Sequence, residues 1–101
     1  MLGRPRKIKI VRKKPVIKQF SPRGRIGRPG FIELKTEEFE AIRLADHLGL
    51  GQRDAAGFMG ISQQTFSRVL RKGRKSLAEA LVLGRIIKVI GGVHKIEIGG
   101  N

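Results

Sequence analysis

The sequence predicts a mainly α fold: a three-helix core with short β segments and an extended basic N-terminal arm. Three observations carry that expectation. Apolar residues recur at helical spacing between residues 37 and 83, with Gly49, Gly51, Gly60 and Gly84 placed where helices would end or begin. Positive charge gathers at one end. Residues 1–30 hold eleven Lys or Arg and no acid, whereas residues 31–101 hold the other eleven together with all eight acids. The same basic stretch contains Pro5, Pro15, Pro22 and Pro29, which oppose a continuous helix there. A chain of 101 residues suits one domain with a tail. It divides into an arm (1–30), a helical domain (31–84) and a C-terminal β tail (85–101).

Within the arm, Lys7–Val11 and Val16–Phe20 alternate polar and apolar residues and would form strands if something pairs with them. Every expected helix lies after Phe31, so the core is expected to fold without the arm. Phe31–Leu34 reads as a short lead-in strand. Thr36 is the expected N-cap of a first helix over 37–48. Glu37 and Glu38 lie in its first turn, where negative charge is favoured, and Phe39, Ile42, Ala45 and Leu48 form its apolar side. Glu37, Glu38 and Glu40 read as a solvated helix start. Gly49 is the expected C-cap. A second helix over 52–59 starts at Gly51, with Asp54 as half of a capping box and Ala55, Ala56 and Met59 as its apolar side.

Ser62 caps a long third helix that runs to about Leu83. At roughly 100° per residue, Phe66, Val69, Leu70, Gly73, Leu77, Ala80, Leu81 and Gly84 share one face. Gln64, Arg68, Arg71 and Lys75 cluster on the opposite face with Lys72 beside them. Only Glu79 offsets the five cations of this helix. The tail, Ile86–Ile98, alternates around Gly91-Gly92, a pair that suits a two-residue hairpin turn. That register places Ile87, Val89, Ile96 and Ile98 on one face with His94, and sets Lys88 unfavourably opposite Lys95.

Residues 52–71 meet the demands of a helix-turn-helix. Ala55 and Ala56 are small enough for a close crossing, Met59 is apolar before the turn, and Gly60 tolerates positive φ. Ile61, Phe66 and Val69 fill the far side. Three longer pieces resemble a known family. They are Glu38-Phe39-Glu40-Ala41-Ile42-Arg43-Leu44-Ala45-Asp46; Gln52 through Ala56 with Met59-Gly60-Ile61-Ser62 and Thr65-Phe66; and Arg74-Lys75, Ala78, Ala80-Leu81, Gly84 and Ile90-Gly91-Gly92. With Gly3-Arg4-Pro5-Arg6-Lys7, they resemble domain-of-unknown-function family 134, small prokaryotic proteins expected to bind DNA. The resemblance implies a helix-turn-helix similar to region four of bacterial sigma factors, and no known operator, ligand or enzyme activity. The chain departs from the family at Gln63, where members often carry Arg. It also lacks the cysteines that many members carry in the N-terminal part.

In a helix-turn-helix, the N-terminal part of the second helix faces base edges. Ser62, Gln63, Gln64, Ser67 and Arg68 occupy that stretch. Gln pairs bidentately with adenine and Arg with guanine, while Thr65 can orient the helix or touch a thymine methyl. Arg71, Lys72 and Lys75 lie further along, better placed for phosphates. Gln52 and Arg53 open the second helix, where side chain and backbone N–H groups can clasp a phosphate. In the arm, Pro22-Arg23-Gly24-Arg25 resembles the core of an AT-hook, which lays Arg-Gly-Arg in a narrow minor groove. Ile26 stands where a further Pro is expected. Gly3-Arg4-Pro5-Arg6 is a second partial match. Arg4, Arg6, Lys7, Arg23, Arg25 and Arg28 are therefore candidate minor-groove or backbone contacts, and a flexible basic linker accounts for the same residues equally well.

The remaining chemistry is sparse. Without cysteine there is no disulfide framework, thiolate nucleophile or Cys-based metal site. His47 and His94 alone give no metal signature. No phosphate loop or hydrolase elbow occurs, nor an 18-residue apolar run or a secretory h-region. No enzyme activity, cofactor, metal or membrane association is expected, and a cytoplasmic location is.

The expected function is sequence-specific binding of double-stranded DNA in transcriptional regulation. The rival class is a basic RNA-binding or ribosome-associated protein, and a third is an interaction module for RNA polymerase. An RNA binder offers exposed aromatics for base stacking. With Phe39 and Phe66 committed to helix cores, only Phe20, Phe31 and Phe58 remain, which favours duplex DNA. The Ile-Val tail is a candidate homodimer interface, since many helix-turn-helix proteins dimerise on palindromes.

Overall fold

A computed structural model describes residues 8–24 and 27–98. Three helices follow three short strands, and two more strands close the chain. The order is β1 (Lys9–Val11), β2 (Gln19–Phe20), β3 (Phe31–Leu34), α1 (Thr36–Ile42), a π-helical turn (Arg43–His47), α2 (Gln52–Met59), α3 (Gln63–Leu83), β4 (Ile86–Val89) and β5 (His94–Ile96). Mainly α architecture is as the periodicity predicts, with the long third helix at the centre.

Local rules set the helix ends. Ser62 adopts extended φ/ψ, and its Oγ accepts the Thr65 backbone N–H at 3.1 Å, capping α3. Gly60 closes α2 in the left-handed region, φ 65°. There a side chain would be strained, and an added Cβ would lie 3.1 Å from Cδ1 of Ile10. Gly60→Val is therefore expected to cost roughly 1–3 kcal/mol. A thermal melt reads it as a loss of at least about 4 °C, and an unchanged Tm would remove the strain from this turn. The α1 cap differs from expectation. Lys35 is the N-cap, its backbone N–H donating to Glu38 Oε1 at 3.0 Å, and Thr36 is the first helical residue, buried. Thr36 is one residue too far along to cap, and its own N–H, one of the first-turn donors left without a helical partner, reaches the Gly91 carbonyl at 3.4 Å.

Two apolar clusters flank α3. Phe66, Val69 and Leu70 meet Ala41, Leu44, Ala55, Ala56 and Met59 from α1, the π turn and α2. Further along, Ala80 and Leu77 pack on Ile32, Leu34 and Val89 of the sheet. Gly73 lies between the clusters, where a Cβ would stand 3.0 Å from Ile42 Cδ1 and 3.1 Å from Glu38 Cβ. Its missing side chain lets α1 and α3 cross closely. The expected apolar stripe holds through Ala80 and fails at Leu81, which is 84% exposed. Leu48, expected on the apolar side of the first helix, is also exposed, and Leu44 is buried instead. The π turn adds residues per turn and rotates the register between them.

The sheets overturn two expectations. The C-terminal hairpin does not form. β4 has both edges occupied, by β3 in parallel (Ile32↔Ile87, Leu34↔Val89) and by β2 antiparallel (Phe20↔Ile87). No edge remains for β5, which pairs in parallel with β1 (Lys9↔His94, Val11↔Ile96). Splitting the strands also removes the Lys88–Lys95 opposition, and Lys88 Nζ sits 4.0 Å from the Phe31 ring centroid instead, a cation–π contact. Gly91 and Gly92 have positive φ as a hairpin turn would need. They serve instead as a strap across the start of α1, from which the Val93 N–H reaches Glu37 Oε2 at 3.3 Å.

The N-terminal segment is likewise more than an open arm. Its two alternating stretches find partners, and Val11 is completely buried. With β2 and β4 side by side, strands from the segments before and after the helices share one sheet. The Glu37, Glu38 and Glu40 start of α1 is buried, not solvated: their exposures are 6%, 6% and 0%. β1, β5 and the strap cover the face of α1 that α3 leaves open. No helix among the described residues is long and apolar enough to cross a membrane.

Candidate functional site

α3 presents its cations as a surface. Gln63, Gln64, Arg68, Arg71, Lys72 and Lys75 are exposed, and Thr65 and Ser67 are half-buried. Burial of Phe66, Val69, Leu70 and Gly73 fixes the helix rotation and so turns this basic face outward. Arg74 alone among the five cations has an acid partner. It forms a bidentate bridge to Asp46 of the π turn, at 2.7 and 3.1 Å. Those hydrogen bonds hold the Asp46 carboxyl below its ordinary pKa and raise that of Arg74. This pair lies on an exposed flank and ties α3 to the π turn. Arg68, Arg71, Lys72 and Lys75 pair with no acid among the described residues.

The expected contact residues separate into groups. Ser62 stands at the head of α3, but its hydroxyl is committed to the cap and to Thr65 Oγ1 at 2.9 Å. Ser62, Thr65, Arg68 and Lys72 share an open groove of about 860 Å³ along one flank of α3. Gln52 and Arg53 open α2, half-buried and exposed respectively, and do not line that groove. In the N-terminal segment, Arg23 and Arg28 are exposed in the connection between β2 and β3. Arg4, Arg6, Lys7 and Arg25 lie outside the described residues. Phe20, Phe31 and Phe58 are about half exposed, each on a different element or sheet strand, while Phe66 is fully buried.

Sequence reasoning missed the opposite wall of the groove. Lys9 of β1 and Lys35 at the β3–α1 corner stand there, with Glu37, Glu38, Gly92 and Val93. No local pattern links them to α3, because only the β1–β5 pairing and the corner bring them near. It also missed the acidic anchor beneath. Glu40 accepts the Arg12 backbone N–H at 2.7 Å, Arg43 Nε at 2.7 Å and Arg43 Nη2 at 2.9 Å. The side-chain hydrogen bonds to Glu40 raise the pKa of Arg43 above its already high value. Glu37 Oε1 and His94 Nδ1 are buried 3.5 Å apart, and neither atom makes a hydrogen bond among the described residues. Among the described residues no group of three or more His, Asp or Glu is arranged to hold a metal ion.

The family model described as "Protein of unknown function DUF134" matches residues 1–97, and the chain belongs to that family. Curated relatives carry the name UPF0251 protein. That of Ruminiclostridium cellulolyticum is 47% identical over 68 residues, covering 67% of this chain and 54% of the relative. That of Methanococcus maripaludis strain C7 is 39% identical over 96 residues, covering 94% and 74%. A third, from Methanothermobacter thermautotrophicus, is 44% identical over 91 residues, covering 90% and 48%. The chain thus spans about half the length of the first and third of these relatives. No solved structure matches.

Proposed function

We propose that this protein binds double-stranded DNA sequence-specifically as a transcriptional regulator. In this reading α2, the Gly60 turn and α3 act as a helix-turn-helix of the kind found in region four of sigma factors. The observation that carries it is the outward face of α3, where Gln64 and four cations without acid partners among the described residues stand opposite the buried Phe66, Val69, Leu70 and Gly73. Inserted in a major groove, Gln64 and Arg68 near the helix start meet base edges, and Arg71, Lys72 and Lys75 meet phosphates. Gln52 and Arg53 contribute a phosphate contact from the start of α2. Exposed aromatics are scattered on separate elements and offer no stacking platform for single-stranded RNA.

The test is selection from randomised duplexes, followed by competition with structured RNA. Arg68→Ala is expected to cost roughly 1–3 kcal/mol on the selected site and to flatten its sequence preference. Lys75→Ala is expected to weaken all duplexes alike and reduce the salt slope by about one unit. An Arg68→Ala variant that keeps the wild-type preference removes the base-reading face, and RNA outcompeting every duplex removes the reading itself.

A further inference from the structure

We infer that the groove beside α3 seats the sugar-phosphate backbone of one DNA strand, and that Lys9 and Lys35 are the residues that hold it. This rests on the duplex reading above and adds a line of phosphate contact that the α2–α3 unit does not contain.

The groove has two basic walls. Arg68 and Lys72 project from α3, and Lys9 and Lys35 face them from β1 and from the corner before α1. None of the four pairs with an acid among the described residues. The two carboxylates at the base, Glu37 and Glu38, are buried: Glu38 accepts the Lys35 backbone N–H and Glu37 Oε2 the Val93 N–H, while Glu37 Oε1 faces His94 Nδ1 at 3.5 Å. Four unpaired cations around one trough repel each other, and a polyanion lying between them relieves that repulsion. The neighbouring hollow shares Lys35 and Lys72 and continues past Lys75 to Glu33 and Glu79. Those two acids would repel phosphate, so the basic track is bounded at that end.

Helix geometry says which strand it meets. At about 100° per residue, Thr65 and Lys72 lie on one flank of α3, Ser67 and Arg74 on the other, and Gln64, Arg68, Arg71 and Lys75 between them. A helix in a major groove about 12 Å wide has a phosphate backbone on each side. Gln64 and Arg68, at the N-terminal end of the middle stripe, meet the bases, Arg71 and Lys75 further along it meet phosphates, and the Thr65–Lys72 flank, with Lys9 and Lys35 beyond it, meets one backbone. Gln52 and Arg53, outside the groove, are left for the other strand.

The experiment uses the full chain on its selected duplex. Relative to wild type, Lys9→Gln/Lys35→Gln is expected to make the dependence of log Kobs on log salt shallower by about 1.8 units, two contacts at about 0.9 each. Phosphate-ethylation interference should disappear at adjacent phosphates of one strand, whereas Arg53→Gln should erase interference on the other. The selected consensus should not change, because phosphate contacts carry no sequence information. Lys35→Gln alone, at an exposed corner, should give about half the slope change and serves if the Lys9 substitution loosens β1. Intact duplex binding with unchanged slope and interference overturns this inference alone. Interference lost equally on both strands also overturns it, by reducing the lysines to diffuse charge. A wild-type protein that binds no duplex DNA, or binds RNA duplex in its place, overturns it together with the reading beneath.

Discussion

Removing residues 1–30 is expected to unfold the helical core rather than merely weaken ligand binding. The deletion takes away Val11, fully buried, worth roughly 1.5–3 kcal/mol of apolar burial. It removes the Arg12 N–H from the buried Glu40 carboxylate, a hydrogen bond to a charged group worth roughly 1.5–3 kcal/mol. It takes from β5 the one strand that pairs with it among the described residues, strips β2 from the edge of β4 and removes the Arg12 Nε contact to the Phe58 carbonyl. Domains of this size hold only about 5–15 kcal/mol in total. Thermal unfolding followed by circular dichroism should lose its cooperative transition or shift it down by more than about 15 °C. A truncated chain that melts like the full one would show that β1 and β2 only decorate the core. A practical consequence follows for binding studies: lost affinity after truncation would report lost structure as well as lost charge. Point substitutions at exposed Arg23 and Arg28 are the sound way to measure the charge.

Glu40→Ala is expected to be the most damaging single substitution away from the glycines. Glu40 is completely buried, and its two oxygens receive three N–H donors from two segments. Truncating it leaves the Arg43 guanidinium, whose side chain is only 18% exposed, without its counter-charge and leaves the Arg12 N–H without an acceptor. Breaking a buried pair from one side costs roughly 3–5 kcal/mol, because the surviving charge stays desolvated. For a domain of this length that is a fall in Tm of about 12 °C or more. Glu40→Gln keeps an acceptor for Arg12 and should recover part of the loss. Arg43→Ala should cost less than Glu40→Ala, since Glu40 would keep the Arg12 bond. Equal melting temperatures for wild type and Glu40→Ala would show that the carboxylate is not what joins the N-terminal segment to α1.

The contrast between these carboxylates and their sequence reading is instructive. Acids in the first turn of a helix are favoured by the unpaired N–H groups there, whether the turn is wet or dry. The pattern at residues 37–40 therefore placed the helix start correctly to within one residue and said nothing about burial. Burial came from elements remote in the chain: Arg12 in front, and Val93 and His94 behind. The apolar period was equally blind to the π turn, past which Leu48 is exposed while Leu44, three residues after the buried Ala41, stays in the core.

What the sequence by itself determined is everything governed by neighbours a few residues apart. The bounds of α2 and α3, the Ser62 cap, the left-handed Gly60 and the outward basic face follow from helical period, capping chemistry and the freedom of glycine at positive φ. Those causes act within one or two turns, so the local text contains them. Only the tertiary structure decided which strands pair. Alternation along Lys7–Val11, Val16–Phe20 and Ile86–Ile98 specifies that one face is covered, but a β edge accepts any strand of matching polarity and names no partner. Once β2 and β3 had taken both edges of β4, β5 went to β1, the Gly91-Gly92 pair became a strap over α1, and Lys9 and Lys35 came to face Arg68 and Lys72 across the groove.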